Sequence, residues 1–250
     1  MNKKRIQRVV PALPAYKEHP YRRRVHPHGL ISYRVLIKET DLLVSSSRDL
    51  SKQAKAHVHS YRGQIEEYIQ HKPDFLTTLL PYPEDPFAPA IVKTMISAAR
   101  MFNVGPMAAV AGAIAEFVGQ ELLKYTEEII VENGGDIFLK TNRPITASIF
   151  AGTSQFSDKI GVIIHPGQMP TGICTSSASV GHSLSLGIAD AVCIIAKSAS
   201  VADAAATALG NKITNKFQLK KEIDIFRESK DIKGGVVIVG KTMATWGEVE

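Results

Sequence analysis

Hydrophobic and polar positions change period several times along this chain, and each change marks an element. Ile31, Tyr33, Val35 and Ile37 alternate with Ser32, Arg34 and Lys38, the period-two pattern of a half-buried strand. Leu42, Leu43 and Val44 return as its hairpin partner around Glu39 to Asp41. From Asp49 to His71 the apolar positions Leu50, Ala54, Val58, Tyr61, Ile65 and Tyr68/Ile69 stand at helical spacing. Pro73 to Pro89 holds Pro81, Pro83 and Pro86, which predicts an extended connector. Two helices follow, Ala90 to Phe102 and Met107 to Tyr125, with a turn at Asn103–Pro106 between them. Glu128 to Val131 reads as a strand running into Glu132–Ile137, and Ile145 to Phe150 and Ile160 to Ile164 as two more. Ala191 to Ala196 is a short apolar run bounded by polar residues, a buried strand. Val201 to Leu209 is a helix of small residues, and after a further helical segment Val236 to Val239 is the last expected strand. Residues 1–28, rich in Pro, His and Arg without period, read as an irregular arm ahead of one α+β domain over 29–250.

Composition narrows the class without naming an activity. With 44% hydrophobic and 22% charged residues over 250 positions, the chain has the make-up of a globular protein with an ample core. A net charge of +6 is concentrated early, in Lys3, Lys4, Arg5, Arg8 and Arg22 to Arg24. That front end reads first as solvated surface, and only as a third, weaker reading as a nucleic-acid contact. Val104 to Val118 is apolar but short and contains Glu116, so no membrane span is expected. Cys174 and Cys193 have no metal or redox spacing, and Pro11, Pro14 and nearby charges leave no export signal, which together predict a cytoplasmic protein.

Four local patterns carry candidate chemistry. Ala108, Ala109, Ala111, Gly112 and Ala113 open a helix with little side chain, which admits either a flat ligand or a second helix at close range. Gly134-Gly135 ends a strand and reads either as a turn aiming amides at a ligand or as a plain hairpin. Asp203 and Thr207 stand four apart, one above the other on a helix, where a carboxylate and a hydroxyl can share a hard cation. The structural alternative makes Asp203 the cap of its own helix and bonds Thr207 back to the carbonyl of residue 203. Gly235-VVIV-Gly240-Lys241-Thr242 matches the phosphate-loop pattern by letter, but its middle is made of strand formers and no helix follows.

Taken together, GPMAAVAG at 105–112, VENGGDI at 131–137, the Thr175-Ser176-Ser177 run with Gly181-His182-Ser183, and the helix Asp203-Ala-Ala-Ala-Thr207-Ala resemble the ApbE superfamily, the FAD:protein FMN transferases. The set looks like a cytoplasmic branch of that superfamily found in archaea and bacteria. The resemblance implies an α+β fold with mixed or antiparallel sheets flanked by helices, and a flavin-nucleotide pocket between the GGD turn and the hydroxyl loop. It implies Asp203 and Thr207 as Mg2+ ligands, and nucleotide contacts from Met107, Asn133, Gly134, Gly135, Asp136, Thr175, Ser176, Ser177, Gly181 and Ser183. His182 and Asp136 are the proton-handling candidates. The family's insertion containing SHxxDPxTG is missing: His182-Ser183 stand close behind Ser176 and no DPxTG follows. Two functions therefore compete, an Mg2+-dependent enzyme acting on FAD or a related nucleotide, and a binding module that has lost its acceptor-peptide region. The expected partner is a small-molecule nucleotide, with a second copy of the chain left open.

Overall fold

A computed structural model describes residues 29–177 and 187–249. The expected arm over 1–28 and the candidates Gly181, His182 and Ser183 lie outside them. The chain begins with the hairpin β1 (Ile31–Ile37) and β2 (Thr40–Ser46), in full register from Ile31 opposite Ser46 to Ile37 opposite Thr40. Helix α1 (Ser51–His71) follows, then a single turn α2 (Asp74–Thr77) inside the proline-rich connector. Phe75 is the reason for that turn, since it is fully buried between Tyr68 and Tyr82, edge-on to both. The connector is therefore not extended throughout, as its prolines alone suggested. Helix α3 (Ala90–Met101) is next. The second expected helix begins as a 3-10 turn at Pro106–Ala109 and becomes α4 (Val110–Leu122), shorter at both ends than its apolar pattern.

Strands β3 (Ile129–Asn133) and β4 (Asp136–Lys140) form a hairpin, followed by β5 (Ile145–Ser148), β6 (Gly161–Ile164) and β7 (Thr171–Ser176). Then come β8 (Ala191–Ala196), α5 (Ala199–Lys212), α6 (Leu219–Arg227), β9 (Ile232–Val239) and β10 (Thr242–Gly247). Eight strands pair in the order β1-β2-β3-β4-β7-β8-β9-β10, every neighbour antiparallel, and β5 and β6 form a separate pair. Strand β10 is absent from the hydrophobic pattern because only Trp246 of its residues is buried. It turns back from β9 at Gly240-Lys241, so the phosphate-loop lettering lies across a hairpin and opens no helix.

Alternation along the strands sorts their side chains onto two faces. Val44, Val131, Phe138, Cys174, Ile194 and Val237 meet the helices, while Ile130, Leu139, Ile173, Ile195, Val236 and Ile238 meet Val162 and Ile164 of the β5–β6 pair. The result is an α+β architecture of three layers. Helix α5 lies innermost among the helices, with Ala202, Ala204, Ala205, Ala206, Ala208 and Leu209 all buried. A helix of small, mostly apolar residues can be buried on nearly all sides, and here it lets the sheet, α3 and α4 close on it together. Among the described residues no single helix is long and apolar enough to cross a membrane.

Candidate functional site

The start of α5 is wedged between two glycines. A Cβ on Gly112 of α4 would stand 2.3 Å from the Ala199 carbonyl oxygen, and one on Gly172 of β7 would stand 2.3 Å from Ala199 Cα. At Gly112 the small-residue opening of α4 thus admits the backbone of α5, the helix-packing form of close approach.

That closeness lets each helix hold the other's N-terminus. Glu116 of α4 accepts hydrogen bonds at Oε2 from Ser198 Oγ (2.6 Å), Ser200 N (3.1 Å) and Ser200 Oγ (3.0 Å) at the start of α5. In return, Asp203 of α5 accepts at Oδ2 from Gly112 N (2.9 Å), with the Ala111 amide as a further donor, in the first turn of α4. Both carboxylates lie where the positive ends of helix dipoles favour negative charge. Asp203 does not cap its own helix; Ser198 does, accepting from Val201 N. Nor does Thr207 bond back to the carbonyl of residue 203: it is half-buried with no hydrogen bond among the described residues. Both features of the structural alternative are therefore absent. Hydrophobic patterning gives Glu116 no role as a hydrogen-bond acceptor, although an acid in the middle of the apolar run Val110 to Val118 is a signal that something must receive it.

Asp136 joins Asp203 from the sheet. It begins β4, opposite Cys174 on β7, on the face that meets the helices. Its carboxyl is pushed up to about 7, chiefly by desolvation, with the Cys174 thiol hydrogen bond opposing and the charge of Glu132 adding to the rise. Asp203 is pushed well above the carboxylate range by desolvation and then by the charge of Asp136, against which the α4 amides pull. The Cys174 thiol, which donates to Ala199 O at 3.2 Å, is pushed up by burial and by both acids. No Lys, Arg or His pairs with either Asp among the described residues, so two desolvated carboxylates lie within reach of each other's charge without a counter-charge. Such a pair holds a proton or calls for a cation.

The other expected contacts are distributed less simply. Gly134 and Gly135, both at positive φ (68° and 110°), form the two-residue turn of the β3–β4 hairpin, so the plain hairpin is the form taken. The Gly135 amide already donates to Glu132 Oε1 at 2.7 Å. Ser176 faces α5, with its Oγ 3.6 Å from the Cβ position of Gly210. Thr175 points to the opposite face of the sheet, beside Cys193, so the two hydroxyls do not act as one row. Ser177 follows at the end of β7. Asn133 donates from Nδ2 to Ala111 O at 3.0 Å, which ties the sheet to the first turn of α4. Asn133 and Met107 line a cleft of about 550 Å³ between α1, the tip of the β1–β2 hairpin and α4. Ala111 stands at the join, its amide on Asp203 and its carbonyl on Asn133, so cleft and carboxylate pair are two sides of one turn.

Solved structures of similar fold include two flavin transferases. The chain is similar to the flavin transferase ApbE from Vibrio cholerae (H257G mutant), with a TM-score of 0.56 and 14% identity over 88% of this chain and 97% of that one. It is also similar to the flavinyl transferase ApbE of Pseudomonas stutzeri in its apo form (TM-score 0.54, 14% identity, 87% and 94% covered). At that identity the likeness shows the fold, an ApbE-type α+β fold. The sequence goes further: the model of the family described as AbpE bacteria matches residues 22–239, and the chain belongs to that family. Its relatives include a UPF0280 protein of Methanothrix thermoacetophila, 40% identical over 83% of this chain and 87% of the relative. Another is a UPF0280 protein of Methanocaldococcus jannaschii, 38% identical over 86% and 90%.

Proposed function

We propose that this protein binds FAD or a related adenine dinucleotide together with Mg2+, and breaks the pyrophosphate link by transfer to a small acceptor or to water. The observation that carries the reading is the uncompensated pair Asp136 and Asp203, with the unbonded Thr207 hydroxyl one helical turn beyond Asp203. This donor set fits a hard cation that takes few protein ligands and keeps waters or substrate phosphates. Among the described residues no three His, Cys, Asp or Glu side chains gather as a metal cage, which a magnesium–phosphate site does not need. Asp203 and Thr207 would hold the ion, and its charge would offset that of the pyrophosphate.

The protein's own residues divide the rest of the work. The α4 amides fix the Asp203 carboxylate, so its free oxygen is oriented before any ligand arrives. Attack by the acceptor oxygen on the FMN phosphorus forms one P–O bond and breaks that to the departing AMP, and the acceptor's proton needs a base. Asp136, with its carboxyl near neutrality, is the described group suited to take it. Similarity to flavin transferases supports a flavin as the nucleoside.

Binding without turnover is the second reading, favoured by the missing DPxTG segment after His182. Chromatography of FAD incubated with the protein in Mg2+ or EDTA separates the two. AMP appearing only with Mg2+ supports the enzyme, retention of intact FAD supports the binding module, and no interaction with FAD at millimolar concentration removes both.

A further inference from the structure

The connector between α1 and α3 carries large apolar side chains at the surface. Leu79 is 61% exposed, Leu80 69% and Phe87 97%, with Leu76 and, at the end of α3, Met101 close to half exposed. Their backbone is held from beneath. Tyr68 Oη donates to Asp85 Oδ2 (2.9 Å), Tyr82 Oη to Asp74 Oδ1 (3.3 Å), and Phe87 N to Asp85 Oδ1 (3.0 Å). A Cβ on Gly105 would meet the Thr78 carbonyl, so the connector also lies directly on the turn between α3 and α4. Arg100 reaches Glu84 at 3.5 Å, which sets the end of α3 beside the same segment. The Phe87 side chain by itself offers about 200 Å² of apolar surface, and the leucines bring the total to the several hundred Å² that mark an interaction surface.

We propose that a second copy of the chain docks on this face, by a two-fold contact that sets Leu79, Leu80 and Phe87 of one copy against the same residues of the other. Charge selects that occupant. The chain carries +6 overall, so copies repel each other. From Lys72 to Met101 the charges balance, with Lys72, Lys93 and Arg100 against Asp74, Glu84 and Asp85. Two copies therefore meet here without that repulsion, and a rim carrying both signs can complement itself across a two-fold axis. A nucleic acid or an anionic membrane finds no excess of cations on it. A connector already fixed from beneath also loses little freedom on contact. A stable dimer needs about 800 Å² from each partner, and the apolar centre would supply roughly half of it. Leu76 also lines the cleft, so the contact would border it. The inference stands independently of the nucleotide reading.

Sedimentation velocity of the full chain tests it. At micromolar concentration the parent should run as a dimer. Leu80→Glu and Phe87→Glu each place a charge at the centre of the contact, and either one that keeps the parent's circular dichroism should weaken dimerisation tenfold or more. Ile225→Glu, at a half-exposed position on α6, should leave the dimer intact. Hydrogen exchange of the parent needs no variant: the amides of Leu79, Leu80 and Phe87 should exchange more slowly at high than at low protein concentration. A parent that stays monomeric through the micromolar range, leaving the face to a partner of another kind, overturns the proposal. So does a folded Leu80 or Phe87 variant that dimerises like the parent, a dimer lost in Ile225→Glu instead, or exchange at these amides that ignores concentration.

Discussion

At the scale of single residues, the carboxyl of Asp136 sets a testable pH dependence. Burial raises it from 3.8 to about 7, so between those values the folded protein keeps a proton that the unfolded chain releases. Stability then falls as pH rises through that window and levels off above about 7. The surface acids Glu39, Glu66 and Glu121 are shifted the other way, below 4.5, and are ionised in both states across pH 5 to 7.5, so they do not mask the effect. Denaturant unfolding in EDTA at pH 5 and pH 7.5 should show the parent losing stability, and Asp136→Asn losing less, the remainder coming from Asp203, which burial also raises. Equal losses in both would mean that Asp136 titrates like an exposed acid. Thr207→Val keeps shape and removes the hydroxyl, which bonds to nothing among the described residues. It should leave the melting temperature without ligand within a degree or two, yet weaken Mg2+-dependent FAD binding several-fold. Unchanged binding would leave Thr207 without a role at the cation.

At the scale of elements, the mutual capping of α4 and α5 is what brings the acids together. Glu116→Ala strips three acceptor contacts from the start of α5 and leaves Ser200 buried and unpaired. A cost of about 2–4 kcal/mol is expected in chemical denaturation, given the worth of hydrogen bonds to charged groups. Gly112→Ala should cost about 1–3 kcal/mol through overpacking against Ala199 and Asp203, and should displace the Asp203 carboxylate from the α4 amides. A loss below half a kcal/mol in both variants would contradict the packing described. Periodicity showed that α4 and α5 exist; it could not show that each supplies the other's cap, because such contacts join residues distant along the chain. The same limit explains why spacing showed Asp203 and Thr207 as a pair, while only the family resemblance put Asp136 beside them. Spacing four apart is local, but a contact between helix and sheet depends on the whole topology.

At the scale of the molecule, the apolar pattern foretold most strands and helices; it missed β10 and the short α2, whose burial is thin, and also β4 and the buried β7, whose residues read as a turn and as a hydroxyl run. The cleft was missed for a different reason: Lys38, Arg62 and Ile69 carry no motif and meet only because the β1–β2 hairpin packs beside α1. No DPxTG segment follows His182-Ser183 in the sequence, so no FMN is expected on a flavinylation peptide offered with FAD and Mg2+. A covalent adduct found by mass spectrometry would show that another surface receives the peptide. The central claim, a cation held at Asp203 against a nucleotide pyrophosphate, is tested most directly by electron paramagnetic resonance of Mn2+ standing in for Mg2+. With FAD present, the free Mn2+ signal should fall by one ion per chain, and Asp203→Asn, which keeps the side-chain volume and can still accept from the α4 amides, should weaken that uptake by about tenfold or more. Equal uptake by parent and variant, or none by either, would contradict the account.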